Sequence, residues 1–333
     1  MTDSTGLIQH AIYCVPRRES GYTTDDNARA LRLCVRLWEQ RPDQRMLDRV
    51  TNYLSFLEHA RCSKRGFHNF MGYQRDWLDA GGTGDCQGQA ILALAEVLGS
   101  DLPAGYRDLA RELIDTSVPA LAELRSLRAY AYVILAWGHL QARKTADMEP
   151  LEQVACNAAR RLQECYERSC RPEWPWFESR LTYANAVLPQ AMFVAAKCWP
   201  SENYQELAET SFAFLDRVTT VDEFFWPIGN SDWYPHGEQK SPYDQQPVEA
   251  STMADAACVA FEMTGDRKYL NTFHRASDWF HGKNSLKLSL VDPNCGACFD
   301  GLRPVGANQN QGAESTLAWL WTKLLHSVNK QTP

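Results

Sequence analysis

Carboxylic acids recur near the starts of the apolar helices that the sequence predicts. A single acid in a first turn is explained by capping or by the helix dipole, an effect of about 0.3–1 kcal/mol. Several acids that converge on one cavity oppose each other's ionisation and raise a pKa, an arrangement typical of acid–base catalysis. The sequence therefore predicts catalytic candidates that line one cavity, namely Asp25, Asp26, Asp85, Asp244, Glu249 and Glu314.

Four loops that precede these helices are dense in aromatic, amide and charged residues, at 66–89, 171–179, 224–247 and 298–315. Surface loops do not ordinarily carry this much aromatic area, although some of the tryptophans are expected only to pack. Sugars present apolar C–H faces and rings of hydroxyls, which suit aromatic platforms set among amides and carboxylates. The predicted binding residues are Arg29, His68, Tyr73, Trp77, Trp176, Glu178, Asn230, Asp232, Trp233, Tyr234, His236, Gln245, Asn308, Asn310 and Gln311.

Motifs for metals and nucleotides are weak or absent. The CGAC motif at 295–298 has the spacing of a metal site, but no second CxxC motif or histidine pair completes it. The sequence also has no glycine-rich phosphate-binding loop. We therefore expect neither a metal nor another cofactor.

Two kinds of predicted helix alternate along the chain and must position these residues. Small and apolar residues on most faces predict buried helices at 24–39, 84–99, 127–140, 178–199, 246–265 and 310–326. Amphipathic, charge-bearing patterns predict outer helices at 43–61, 104–123, 148–168, 201–217 and 267–281, with a partial one at 5–13. Six such alternations predict an all-α fold, the (α/α)6 toroid, over an irregular helical bundle or solenoid. No linker divides the chain, so residues 1–333 are predicted to form a single domain.

Composition limits the partners and the location of the protein. The 333 residues are 44% hydrophobic, enough for a large core, and the net charge of −7 argues against nucleic acid or an anionic membrane as a partner. The longest apolar run, 129–137, is far shorter than the ~20 residues of a membrane span. Eleven scattered cysteines and an N-terminus without a signal pattern predict reduced thiols and a cytoplasmic location.

Four long motifs resemble those of a known family. They are TGLIQHAIYCVPRRESGYTTDDNARAL, GFHNFMGYQRDWLD, GNSDWYPHGEQKSPYDQQPVEAS and CFDGLRPVGANQNQGAEST. The chain is similar, over almost its whole length, to six-hairpin glycosidase-like domains found alone or fused to bacterial glycosyltransferases. This resemblance implies an (α/α)6 barrel, an oligosaccharide or glycan as substrate, and a functional link to a glycosyltransferase.

The leading hypothesis is a glycoside hydrolase, or a related glycan-processing enzyme, that works without a metal. Six-hairpin glycosidases are mostly inverting, so the resemblance favours an acid and a carboxylate ~6.5–9.5 Å apart. A carboxylate at a helix start is favoured when ionised, which makes Asp25 and Asp26 candidate bases or sugar-binding groups. Burial beneath the aromatic 224–247 loop makes Asp244 and Glu249 the candidate acids.

Two other functions compete with hydrolysis. A sugar epimerase of the N-acylglucosamine 2-epimerase type uses the same barrel, but it would need histidines at the cavity, and the predicted inner-helix starts supply none. A non-catalytic carbohydrate-binding domain that serves a glycosyltransferase is the other alternative, and an activity assay separates it from an enzyme.

Overall fold

The computed structural model describes residues 1–62, 66–145, 147–200 and 203–329. Within these residues the chain is mostly helical. The helices are α1 (Thr24–Gln40), α2 (Gln44–His59), α3 (Gly84–Leu98), α4 (Ala104–Ala122), α5 (Leu127–Ala142), α6 (Glu149–Ser169), α7 (Val187–Cys198), α8 (Tyr204–Thr219), α9 (Pro247–Thr264), α10 (Lys268–Trp279) and α11 (Ala313–Asn329).

Two-residue strands occur in the segments between the helices. They are β1 (Ala11–Ile12), β2 (Val15–Pro16), β3 (Tyr22–Thr23), β4 (Arg61–Cys62), β5 (Gly66–Phe67), β6 (Phe70–Met71), β7 (Arg180–Leu181), β8 (Thr220–Val221), β9 (Phe224–Phe225), β10 (Tyr234–Pro235), β11 (Leu302–Arg303) and β12 (Gly306–Ala307). The antiparallel pairs include β3 with β6, β4 with β5, and β7 with β10. These pairs tie loops to the starts of helices.

The chain forms two compact units. The first comprises Met1–Ala11 and Val15–Arg161, and the second comprises Ile12–Cys14 and the chain from Leu162 onward. In the first unit α1 packs on α2 and α3, and α3 packs on α4 and α5. In the second unit α7 packs on α8 and α9, and α9 packs on α10 and α11. The prediction of one domain for the whole chain stays a prediction.

The predicted difference between inner and outer helices is present in the first unit. On α3 every residue from Cys86 to Leu98 is buried, whereas α2 buries one face, with Val50, Tyr53, Leu54, Phe56 and Leu57. Each large aliphatic side chain buried in this way contributes about 1.5–3 kcal/mol. The α3 and α5 backbones come close at Gly88, where a Cβ atom would lie 2.9 Å from Tyr132 Cβ.

The predicted inner helix at 178–199 begins later than the periodicity indicates. Helix α7 starts at Val187, so Glu178 does not lie at a helix start. Arg180–Leu181 pairs with Tyr234–Pro235 instead, and this partner lies far away in the sequence. Pro189 falls in the first turn of the shorter helix, where its missing N–H is tolerated.

The partial helix predicted at 5–13 is wrong. Leu7 bridges to Thr2, Ile8 bridges to Tyr22, and the chain continues into β1. The Leu7 N–H donates to Asn27 Oδ1 at 2.8 Å, so an α1 side chain satisfies it. Because a helix of this length is marginal in water, extended pairing with the segment before α1 prevails.

The cysteines are spread along the chain, and all eleven are free thiols. Among the described residues, no group of three or more His, Cys, Asp and Glu side chains could hold a metal ion. Within the same ranges, no helix has the length and apolar character needed to cross a membrane.

Candidate functional site

Helix α1 begins at a cap that Thr23 and Asp26 make together. Thr23 Oγ1 accepts a hydrogen bond from the Asp26 N–H at 3.4 Å and donates one to Asp26 Oδ2 at 2.9 Å. Arg29 Nη1 lies 3.0 Å from Asp26 Oδ1 and 3.7 Å from Asp25 Oδ2. The Asp26 side chain is 5% exposed and that of Asp25 is 25% exposed. Asp26 therefore stabilises the helix start, and Asp25 is the acid that a ligand can reach.

Asp85 lies half-buried in the first turn of α3. Ser126 Oγ donates a hydrogen bond to Asp85 Oδ1 at 2.8 Å. Burial raises the pKa of the Asp85 carboxyl above its ordinary value, against the Ser126 hydrogen bond and the charges of Arg128 and Arg29. The negative charge of Asp25 adds to this rise in pKa. A carboxyl in such surroundings keeps its proton more readily, which suits a general acid.

His68, on the loop between β5 and β6, lies between a carboxylate and an indole ring. Its Nδ1 atom is 3.2 Å from Asp79 Oδ1 and 2.9 Å from the Asp79 carbonyl oxygen. The imidazole stacks on Trp77, with ring centroids 5.0 Å apart and planes 18° apart. Asp79 and Trp77 therefore fix the orientation of the imidazole.

Three backbone N–H groups hold the Asp79 carboxylate. Asn69 and Phe70 donate to Oδ2 at 2.9 and 2.6 Å, and Gly81 donates to Oδ1 at 2.9 Å. Burial acts to raise the pKa of Asp79, but these hydrogen bonds and that of His68 together hold the pKa below its ordinary value. An ionised Asp79 only accepts hydrogen bonds, so His68 donates from Nδ1, and in a neutral imidazole Nε2 then carries the lone pair.

The His68 segment is fastened to the starts of both α1 and α3. The Thr24 hydroxyl donates to the His68 carbonyl oxygen at 2.6 Å, and the Asp25 N–H donates to Asn69 Oδ1 at 3.3 Å. From α3, Cys86 Sγ approaches the same His68 oxygen at 3.6 Å. The first unit therefore brings His68 together with the acids of both helix starts.

Cys86 marks the centre of this group of acids. Burial raises its thiol pKa well above the ordinary value, and the charges of Asp25, Asp79 and Asp85 raise it further. All three carboxylates thus lie close enough to act on one thiol. Because a buried thiol in a negative field is unreactive, Cys86 has no role as a nucleophile.

Two aromatic side chains of the same loop remain accessible. Tyr73 is 42% exposed and stacks on Tyr22, with ring centroids 6.2 Å apart. The Arg18 guanidinium lies 5.6 Å from the centre of the Tyr73 ring. Trp77 is partly exposed and also contacts Phe56 edge to face. Such faces can stack on the apolar side of a flat or ring-shaped ligand.

In the second unit, Glu249 holds the loop that precedes α7. Its carboxylate accepts hydrogen bonds from the Ala184 N–H and, at 3.2 Å, from Asn185 Nδ2. Asn185 also donates to the Thr182 carbonyl oxygen at 2.7 Å, and Ala184 has a φ of 46°. These contacts fix the Glu249 carboxylate against the loop, and the general-acid role that its place in the sequence indicates stays a prediction.

Asp244 is half-buried and follows a cis peptide bond from Tyr243. Its N–H donates to Ser231 Oγ at 3.0 Å, and its carbonyl oxygen accepts from the Asn230 N–H at 2.9 Å. Asn230 is half-buried and Asp232 is exposed. The contacts of Asp244 therefore fold its backbone against the loop at residues 230–232.

In the second unit, an aromatic group joins this loop to the loop at 171–179. Trp174 contacts Tyr234 at 5.2 Å and His236 at 5.0 Å between ring centroids. His236 Nε2 lies 3.4 Å from Glu173 Oε1, and both side chains are exposed. Trp233 is partly exposed, with a φ of 62°. The pairing of β7 with β10 holds this group in place.

Three of the predicted binding residues lie in the core. Trp176 and Gln245 are 0% exposed and Gln311 is 5% exposed. Gln245 Nε2 donates to the Pro242 carbonyl oxygen at 3.0 Å, and its Oε1 accepts from Trp279 Nε1 at 3.1 Å. Gln311 Nε2 donates to an aspartate oxygen at 2.8 Å. These amides hydrogen-bond within the protein, so their observed contacts are structural.

The remaining predicted residues are half-buried, namely Glu178, Asn308, Asn310 and Glu314. Asn310 Oδ1 accepts from the Tyr13 N–H at 3.0 Å, and Asn308 Oδ1 accepts from the Asn310 N–H at 3.4 Å. Glu314 lies in the first turn of α11. The prediction that all six acids line one cavity stays a prediction.

Two residues of the candidate site, Asp79 and Ser126, are not among those that the sequence predicts. Asp79 precedes Ala-Gly-Gly, and such a turn leaves backbone N–H groups for a carboxylate to accept. Ser126 occupies the position before α5, where its hydroxyl could have been expected to cap that helix. In the structure this hydroxyl donates to Asp85.

No family model matches the chain, and no curated protein matches it. Solved structures do match. A sugar epimerase from a ruminal bacterium has a TM-score of 0.75 and 12% identity, over 99% of this chain and 93% of that one. Cellobiose 2-epimerase from Bacillus thermoamylovorans has a TM-score of 0.73 and 12% identity, over 98% and 93%. The cellulase Cel9M of C. cellulolyticum has a TM-score of 0.64 and 9% identity, over 98% and 88%.

These similarities show the fold. The chain has the (α/α)6 toroid, six-hairpin fold, which confirms the predicted fold class. The matching proteins are enzymes, and both sugar epimerases and glycoside hydrolases are among them. The resemblance to the domains found with glycosyltransferases stays a prediction.

Proposed function

We propose that the protein is a glycoside hydrolase that cleaves an oligosaccharide with a carboxylic acid and a proton acceptor, without a metal. The observation that carries the proposal is Asp85, a half-buried carboxyl whose pKa burial raises, with the negative charge of Asp25 acting in the same direction. Two carboxyls with different environments in one place are the usual arrangement for glycoside hydrolysis.

In this mechanism Asp85 protonates the oxygen of the leaving sugar. Ser126 fixes its carboxyl from one side at 2.8 Å. Tyr73 and Trp77 supply partly exposed aromatic side chains against which a sugar can pack. This assignment places the general acid at Asp85 and not at Asp244 or Glu249.

The test is a screen of manno- and gluco-oligosaccharides for new reducing ends, followed by Asp85→Asn on any substrate found. Because an amide cannot donate the proton, we expect kcat to fall about 10²–10⁴-fold while the fold is retained. Asp101→Asn, on an exposed acid of the same unit, is the matched control and should retain full activity. Wild-type turnover in Asp85→Asn would show that the acid lies elsewhere.

Sugar epimerisation is the second candidate function. The observation that favours it is the placement of His68. The predicted helix starts supply no histidine, but a loop supplies His68, and Asp79 holds its Nδ1 atom. A histidine held in this way can remove a proton from the carbon beside a carbonyl. The two highest-scoring similar structures described above are also sugar epimerases.

A reaction in D₂O separates the candidates. Epimerisation introduces solvent deuterium at a sugar carbon and leaves the chain length of the substrate unchanged, whereas hydrolysis creates a new reducing end. Nuclear magnetic resonance of the products reports both outcomes in one experiment. Binding of a glycan without either change would favour the non-catalytic binding domain.

A further inference from the structure

We propose that His68 is the group that accepts a proton during catalysis, and that Asp79 is the residue that positions it. This inference rests on the proposed hydrolysis, in which Asp85 donates one proton and a second group must remove one from water. The sequence analysis assigns that second role to Asp25 or Asp26 and gives His68 only a binding role. The geometry points to a different assignment.

The first argument is the orientation of the imidazole. Its Nδ1 atom is committed to Asp79, and three backbone N–H groups in turn fix that carboxylate. Trp77 covers one face of the ring at 5.0 Å. Within the described residues no hydrogen bond reaches Nε2, and 19% of the side chain is exposed. The ring is therefore held in a fixed orientation, and Nε2 is its nitrogen without a hydrogen-bond partner among the described residues.

The backbone of His68 also lies beside the starts of α1 and α3. The His68 carbonyl oxygen accepts from Thr24 at the start of α1, and the thiol of Cys86 approaches it from the start of α3. These are the helices that carry Asp25 and Asp85. His68 therefore belongs to the same site as the proposed acid.

The competing carboxylates, Asp25 and Asp26, are engaged in contacts within the protein. Asp26 is 5% exposed, and its oxygens are taken up by Thr23 and Arg29. Asp25 Oδ1 accepts the Asp26 N–H at 2.9 Å, and its Oδ2 lies 3.7 Å from Arg29. Imidazole is moreover a stronger base than a carboxylate by roughly 2 pH units. The oriented histidine is therefore the better acceptor.

The proton balance of the step is simple. Water loses a proton to His68 Nε2 as its oxygen bonds to the anomeric carbon of the sugar. The glycosidic C–O bond breaks, and the leaving oxygen takes the proton of Asp85. The imidazolium then returns its proton to solvent, and Asp85 takes one up. Asp79 stabilises the transient imidazolium charge through Nδ1–H.

Several charged or titratable groups lie around His68. Asp79 contacts it directly, and the ring centroid of His59 lies 5.6 Å from that of Trp77, on which His68 stacks. Asp25 and Asp85 belong to the same group of acids around Cys86, and Arg29 is the cation beside them. The pH test must therefore compare variants and cannot rest on the wild-type profile alone.

The experiment measures kcat, KM and the pH profile of kcat/KM on an oligosaccharide that the wild type hydrolyses, for His68→Gln, His68→Ala, Asp79→Asn and Asp25→Asn. We expect His68→Gln to lower kcat about 10²–10⁴-fold with KM within about threefold, and to remove the acidic limb of the profile. Added imidazole should restore part of the activity of His68→Ala, which a purely structural defect would not allow. Asp79→Asn should lower kcat because the amide no longer selects the productive tautomer.

His274→Gln is the matched control, since His274 is an exposed histidine on α10, outside the proposed site. Its kinetics should equal those of the wild type. Melting temperatures of all variants identify any that fail to fold, and Asp79→Asn then tests the proposal without changing the imidazole itself.

The proposal is overturned if His68→Gln keeps kcat within about threefold, or if Asp25→Asn removes the acidic limb and His68→Gln leaves it in place. In either case the wild type still hydrolyses a glycan, so the proposed function stands. If the wild type changes no glycan at all, the proposed function fails, and this assignment of His68 fails with it.

Discussion

The two ends of helix α3 each carry an acid, and the surroundings of the two acids shift their pKa values in opposite directions. Asp85 and Glu96 lie eleven residues apart on α3, about 16 Å along its axis. Burial raises the pKa of Asp85 above its ordinary value. Burial also acts to raise the pKa of Glu96, but Arg32 and Arg36 hold it down to about 2.

The difference lies in the contacts. Glu96 is 2% exposed and has one guanidinium on each oxygen, Arg32 Nε at 3.0 Å and Arg36 Nε at 3.2 Å. Asp85 has arginine charges nearby, but the donor that contacts it is the neutral Ser126 hydroxyl. A carboxylate with two bonded cations is locked in its charged form, whereas a carboxyl with a neutral donor keeps access to both forms. We infer that the end of α3 with Glu96 stabilises the helices, whereas the end with Asp85 is available for chemistry.

The largest expected effect is that of Glu96→Gln on stability. The amide keeps the shape of the side chain, but it removes the negative charge that Arg32 and Arg36 contact. Breaking a buried pair in this way costs about 3–5 kcal/mol. Urea unfolding followed by circular dichroism measures the loss.

Asp85→Asn is the matched control for this prediction, since it makes the same chemical change at the other end of α3. It should leave stability unchanged or slightly higher, because it removes a carboxyl that is costly to ionise in the folded state. A Glu96→Gln variant as stable as the wild type would show that the arginines find other partners and would remove the contrast between the two ends.

The second prediction concerns His139, on the last turn of α5. Burial lowers the pKa of His139 to about 4 against the attraction of Glu96, and Arg36 Nη2 lies 3.4 Å from its Nδ1. Below pH 6.5, the ordinary pKa of a histidine, the unfolded chain takes up a proton at His139 that the folded chain does not bind. Stability should therefore fall as the pH decreases from about 6.5 to about 4, by at most about 3 kcal/mol.

His139→Asn tests this sign, because it retains an acceptor near Nδ1 and removes the titration. Urea unfolding at several pH values from 7 to 4 should show a shallower loss of stability in the variant. The contribution of Glu96 to stability is fully present above pH 4.5, its ordinary pKa, and is lost progressively as the pH falls from there to about 2. The exposed His274→Asn is the control and should follow the wild type. Parallel curves for His139→Asn and wild type would contradict the prediction.

Local patterns were sufficient to predict most of the fold. Small and apolar residues on most faces identify α3 as an inner helix, and Thr23 with Asp26 marks the start of α1, since caps are local in sequence. The start of α7 could not be predicted in this way. Arg180–Leu181 leaves the helical pattern because it pairs with Tyr234–Pro235, and no local signal reports that partner.

The candidate site shows the same limit. The acids at helix starts were identifiable from position, but their roles depend on burial and on distant contacts. The sequence makes Glu249 a candidate acid, but it does not predict the hydrogen bonds by which Ala184 and Asn185 hold its carboxylate. The sequence does not identify Asp79, because its candidate role depends on a hydrogen bond with His68, eleven residues earlier. That contact forms only in the folded loop.

The smallest expected effect is that of Ser126→Ala, which sharpens the comparison at the Asp85 end. Its hydroxyl donates to Asp85 at 2.8 Å and is one of the influences that oppose the rise in the pKa of that carboxyl. Without this donor the protonated form is favoured further, by the value of one hydrogen bond, about 0.5–1.5 kcal/mol. If Asp85 is the general acid, the alkaline limb of the kcat profile should therefore move upward by at most about one pH unit.

The carboxyl carbon of Asp85, followed by nuclear magnetic resonance, should titrate at a higher pH in the Ser126→Ala variant, whether or not a substrate is known. Ser126→Thr keeps the donor and should behave like the wild type. A downward movement in Ser126→Ala would mean that the hydroxyl donates to the Asp85 carboxyl chiefly in its neutral form, and the contrast with Glu96 would then rest on burial alone.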